Sequence, residues 1–222
     1  MFSGRQLTDY IYLIPAILLS LTFHELSHAY VSYKLGDPTA KQMGRLTLNP
    51  LQHLDVLGTL MLLFSNFGWA KPVPINPMYY KNRRTGTMLV SVAGPLSNLL
   101  LATIFYTIRQ IIVGKYSQVN MGQWDVRYML YVFSSIMISI NVGLAAFNLL
   151  PFPPLDGSKI FGGLLPPKYY YKMLSIENYI AFAFLFLVFA MPGVLSTIMS
   201  PLTTVLAALA KAIAIPIANL FI

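Results

Sequence analysis

The 222-residue chain is 56% hydrophobic and only 10% charged, with a mean hydropathy of +0.64 and a net charge of +8. Soluble domains carry about 25% charged residues, so this composition excludes an ordinary soluble domain and points to a single membrane-embedded domain spanning 1–222. The absence of cysteine excludes disulfides and thiolate metal ligands, and the Lys and Arg residues lie between apolar runs rather than on an aromatic-interleaved basic face, which argues against nucleic acid as a partner.

The first apolar run predicts a helix from about Tyr10 to about Leu35, with Asp9 as its N-cap and Gly36-Asp37-Pro38 as its end. Arg5 followed by an apolar stretch mimics a signal peptide, but no small-residue cleavage site follows, and the run is read as a retained span. Its second half contains His24-Glu25-Leu26-Ser27-His28. Ionisable groups at the bilayer centre cost roughly 2.5–3.5 kcal/mol each on insertion scales, so they mark a function. On a helix, His24 and His28 stack on one face while Glu25 projects about 100° away. Two stacked imidazoles can share a Zn²⁺, which leaves the neighbouring carboxylate free to activate water.

Residues 36–52 are polar and turn-rich, with a short alternating stretch at 45–48. Residues 69–77 alternate too, but their prolines restrict them to an edge or irregular strand. Between these lies Leu54–Phe67, about 14 residues, short for a span and suited to a re-entrant or buried segment. Further apolar runs extend from about Thr87 to Val113, containing AGPLSN at 93–98, and from about Tyr128 to Leu150, followed by the helix-breaking PFPPLDG at 151–157. The C-terminal stretch, about 176–222, is expected to form two helices split at Pro192-Gly193. The fold class is therefore an all-α polytopic membrane protein. A three-helix core, about 9–160, carries a small re-entrant or β-like segment, and a C-terminal helical pair follows.

A catalytic zinc usually has three protein ligands and an open position. The remaining candidates are His53, Asp9, Asp37, Asp55, Asp125, Asp156 and Glu177. Asp156 has the best context, because unwound backbone at the end of an apolar span must line a polar cavity or be buried in protein, and Gly157 permits a tight turn. His53 and Asp55 are its rivals, sitting just before the short apolar segment.

HELSH in one span, GPLSN in the next and NLLPFPPLDG after a third resemble the site-2 protease family of intramembrane zinc metalloproteases. GRLTLNPLQHLD and WAKPVPINP resemble its compact prokaryotic members, and no PDZ-like or CBS-like region is read in the chain. The resemblance covers roughly 20–160. It implies that His24, His28 and Asp156 bind one Zn²⁺, that Glu25 is the general base or acid, and that Asn148 and Asn98 help hold the substrate backbone. It also implies a single-span membrane protein or signal-peptide-like substrate, cleaved in or beside the lipid bilayer.

The common site sets the topology. If Asp156 joins the two histidines, the C-terminal ends of their helices share one side, which requires Leu54–Phe67 to enter the bilayer without crossing. The Lys and Arg residues then split 11 against 4, with Lys211 on the metal side, whereas a crossing segment gives 9 against 6. The positive-inside rule prefers the first arrangement, in a multi-pass protein of the cell membrane with its site toward the cytoplasm. Polar residues on broken membrane helices also mark ion paths, so a transporter or channel is the alternative.

Overall fold

The computed structural model describes residues 7–58, 61, 68–116 and 125–222. In chain order its helices are α1 (Leu7–Lys34), α2 (Thr39–Gln42), α3 (Arg83–Lys115), α4 (Val126–Asn148), α5 (Asp156–Leu164), α6 (Pro167–Ser175), α7 (Glu177–Ala190) and α8 (Pro192–Asn219). Four of them, α1, α3, α4 and α8, are long and apolar enough to cross a membrane. The fold is that of an all-α polytopic membrane protein.

Helix starts fall earlier than the apolar runs, because polar caps lie outside the hydrocarbon pattern. Asp9 lies inside α1 rather than capping it. The Asn82 side chain accepts from Thr85 N to start α3, and the Asp125 carboxylate accepts from Arg127 N to start α4. The break between α7 and α8 falls at Met191, beside the Pro192-Gly193 pair.

Helix α3 is the hub, packed against α1, α4, α5 and α8. Its contacts use small residues: Ala102 meets Ala145, Ala146 and Ala210 in the buried core, and Ala16 of α1 packs with Leu101 and Met137. In lipid, where burial supplies little drive between helices, such residues let backbones approach and gain dispersion contacts. The turn after α4 is closed by a second cluster, in which Leu150 and Leu155 pack on Phe184 and Val188 of α7.

The chain between α1 and α3 leaves and returns at the same end of the bundle. Ser32, near the end of α1, donates to Asp37 Oδ2 (2.8 Å), and the Tyr80 hydroxyl, just before α3, reaches Ser32 Oγ at 2.6 Å. Asp37 is fully buried and accepts also from Thr39 N (2.9 Å) and from Asn76 N (2.7 Å). Burial alone would raise its pKa; the bonds from Asn76, Thr39 and Ser32 outweigh this and hold it below the usual carboxylate range. Most of the predicted re-entrant segment, 59–60 and 62–67, lies outside the described residues.

Neither alternating stretch forms a regular strand. Residues 46–48 are a bend, and 69–77 make one isolated antiparallel bridge, Leu54 with Ala70. Pro72, Pro74 and Pro77 remove the donors a ladder needs.

The C-terminal region differs from a simple pair of spans. Helix α7 has 14 residues, about 21 Å, too short for a hydrocarbon core of about 30 Å. Helix α8 runs parallel to α3: Ala210 clusters with Ala102 in the core, and the Ile222 side chain packs on Gly114 near the end of α3. Lys211 thus belongs to the far side, not the metal side, and the split of Lys and Arg becomes ten against five.

Candidate metal centre

The spacing of HELSH places both imidazoles on the face of α1 that meets α3. The His28 Nδ1–H donates to the Val90 carbonyl (2.8 Å), and the His24 Nδ1–H donates to Asn98 Oδ1 (2.6 Å). Each bond fixes the tautomer, leaving an Nε2 lone pair pointing inward. Room for the rings comes from Gly94, where an added Cβ would overlap His28 Nε2 and the His24 ring.

Asp156 opens α5 and reaches the same point from the other side. Gly157 allows this, because a Cβ there would collide with the Leu149 and Leu150 main chain. The Ser158 hydroxyl closes the turn by donating to the Leu155 carbonyl (2.7 Å). Asp156 Oδ2 lies 3.3 Å from His24 Nε2 and 3.1 Å from His28 Nε2, and the two Nε2 atoms are 3.1 Å apart.

This triangle is a test of metal binding. With both Nδ1–H groups engaged outward, two imidazole Nε2 atoms and a carboxylate oxygen converge on one point, a donor set that suits a cation. Tetrahedral ligands about 2.0–2.1 Å from zinc sit about 3.4 Å from one another, close to the observed edges. Among the described residues, His24, His28 and Asp156 are the one group of His, Asp and Glu able to hold a metal ion. The rivals lie elsewhere: His53 is buried in its own loop, donating from Nε2 to the Thr47 carbonyl (2.8 Å), and Asp55 accepts from Gly58 N (2.8 Å).

Glu25 turns off the histidine stripe, as its one-residue offset requires. Its Oε2 accepts from Val73 N (3.0 Å), so the extended 68–75 segment lies across the site. That segment is moored by main-chain bonds: Lys71 N donates to the His53 carbonyl (2.9 Å), and Arg45 donates to the Lys71 carbonyl (2.5 Å). A cavity of about 520 Å³ opens between it and the ligands, lined also by Phe147, Asn148, Lys159 and Phe184.

The two asparagines suggested by the resemblance have different surroundings. Asn148 lines the cavity, its Nδ2 donating to the Leu144 carbonyl of its own helix (3.0 Å). Asn98 is fully buried behind His24, where it orients the ring. Asn98 closes the GPLSN motif, one turn after Gly94 on the same helix face. WAKPVPINP supplies Trp69 and Val73 to the cavity wall, whereas no motif marks Phe184.

A model of peptidase family M50 matches residues 12–191. The chain belongs to peptidase family M50. Its membership agrees with the site-2 protease resemblance read from HELSH, GPLSN and LDG. The chain is 46% identical to the Bacillus subtilis (strain 168) protein named "Putative zinc metalloprotease YwhC" over 79% of each chain. It is 28% identical to the Mycolicibacterium smegmatis protein named "Putative zinc metalloprotease Rip2", over 71% of this chain and 57% of that one. The Methanocaldococcus jannaschii protein named "Zinc metalloprotease MJ0392" is 25% identical over 70% of this chain and 34% of its own length. No solved structure matches the chain.

Proposed function

We propose that this M50 peptidase is a zinc-dependent intramembrane endopeptidase that hydrolyses peptide bonds in or near the transmembrane segments of membrane-protein substrates. The observation that carries the reading is the convergence of His24, His28 and Asp156, with Glu25 beside them, at a cavity among membrane-spanning helices. A zinc ion held by His24, His28 and Asp156 would supply Lewis acidity and lower the pKa of a water bound to it. Glu25 takes the proton from water and passes it to the leaving amine. The Val73 N–H bond steadies the Glu25 carboxylate beside the ligands. Asn148 offers an amide to the substrate backbone from the cavity wall.

The substrate is a single-span or signal-peptide-like segment. A transmembrane helix satisfies its own backbone, so it must unwind before attack, and the cavity walled by the extended segment 68–75 receives the unwound stretch. The cell membrane is the proposed location, with the ligands toward the cytoplasm. The ten-to-five distribution of Lys and Arg supports that orientation.

The test is cleavage of a panel of single-span substrates by purified protein beside Glu25→Gln. The variant should keep its fold and metal but lose about 10³-fold or more of the cleavage rate. Turnover equal to wild type would sink the mechanism.

A further inference from the structure

Beyond the ligands, three helices share a chain of buried polar side chains that no catalytic step uses. Ser20 of α1, Asn98 of α3 and Asn141 of α4 are each 0% exposed. Polar groups at this depth are costly unless paired, and here each bond has a sense that its neighbour dictates.

The order can be followed from a fixed end. The Ser20 hydroxyl donates to the Ala16 carbonyl (2.7 Å), so its oxygen is left as an acceptor. Asn141 Nδ2 donates to that oxygen (2.8 Å) and to the Met137 carbonyl (2.8 Å), so both its N–H groups are engaged. Asn141 Oδ1 must then point toward α3, where it accepts from Asn98 Nδ2 (2.8 Å). The second Asn98 N–H donates to the Ser20 carbonyl (3.3 Å). Only then does Asn98 Oδ1 face His24 Nδ1. Reversing the Asn98 amide would set its NH₂ against His24, which would have to carry its proton on Nε2, the atom facing Asp156 and His28.

We propose that Asn141 is a positioning residue. It fixes which way round the Asn98 amide stands and, through it, which His24 nitrogen faces the metal. Ser20 in turn holds Asn141. The inference rests on zinc binding through His24 Nε2, as proposed above. An amide has two unlike ends, so it needs such a guide; a carboxylate has two like ends and does not.

That asymmetry supplies the experiment. Zinc affinity is measured by chelator competition on purified wild type, Asn141→Leu, Asn98→Asp and the Asn98→Asp/Asn141→Leu double variant. Outer partners of a ligand typically carry a 10–100-fold effect, and Asn141→Leu should weaken zinc about 10-fold. In the Asn98→Asp background, where either oxygen can accept from His24, the same substitution should change affinity little or not at all. If Asn141→Leu weakens zinc by the same factor in both backgrounds, or by none in the wild type, the relay is wrong. Wild type that holds no zinc would instead overturn the metal reading beneath it. Should Asn141→Leu fail to fold, Ser20→Ala removes one acceptor from Asn141 and should show the same background dependence at smaller size; equal effects in both backgrounds would again overturn the proposal.

Discussion

The cavity has two walls made in different ways. The ligand wall, on α1, α3 and the start of α5, is built from buried side chains whose every bond is specified: His28 to Val90, His24 to Asn98, and the rings seated over a glycine. The opposite wall, residues 68–75, is proline-rich and held mainly through its main chain, by Lys71 to His53, Arg45 to Lys71 and Val73 to Glu25. Side-chain packing of the first kind defines positions to fractions of an ångström, which a metal triangle needs. Main-chain mooring of the second kind leaves side chains free to differ, which suits a surface that receives varied substrate segments.

The contrast is broken most severely at Gly94. A methyl group there overlaps the Nε2 atom of His28 itself. Gly94→Ala should cut zinc affinity and cleavage by about 100-fold, while overpacking costs only about 1–3 kcal/mol of stability. Binding and turnover near wild type would show that the ligand wall yields as readily as the other.

On the moored side the expected effect is smaller and bears on stability. Asp37 ties the end of α1 to Asn76, at the end of the segment facing the ligands. Asp37→Asn should cost about 2 kcal/mol near neutral pH, the scale of hydrogen bonds to a buried charged acceptor. Because the folded pKa is lowered, the stabilisation is present above the unfolded value of about 3.9 and is lost as pH falls through the folded value. Melting temperatures of the two proteins should therefore converge below about pH 4. A gap that widens on acidification would contradict the sign.

The ligand wall was the more legible from sequence. His24, Glu25 and His28 are local to one helix, and Asp156 stood out because a proline-rich break beside an apolar span leaves backbone that must face something polar. Local pattern could not show what lies across helices. Asn98 turned to His24 rather than the cavity because its partners, Ser20 and Asn141, come from two other elements. Asn141 carries one local signal, an amide in the middle of an apolar span, with no motif around it. The moored wall was legible in part: its prolines limit 69–77 to an edge or irregular strand, and it makes one isolated bridge, but alternation does not show where it is moored. Lys211 falls on the far side because α7, at 14 residues, is too short by itself to cross.

The central claim is that His24, His28 and Asp156 together hold one metal ion among the membrane helices. Elemental analysis of the purified protein tests it most directly. Wild type should carry about one zinc per chain, and His24→Ala and Asp156→Ala should each lose it or bind it far more weakly. Full zinc occupancy in Asp156→Ala would contradict the account and return His53 or Asp55 as the third ligand.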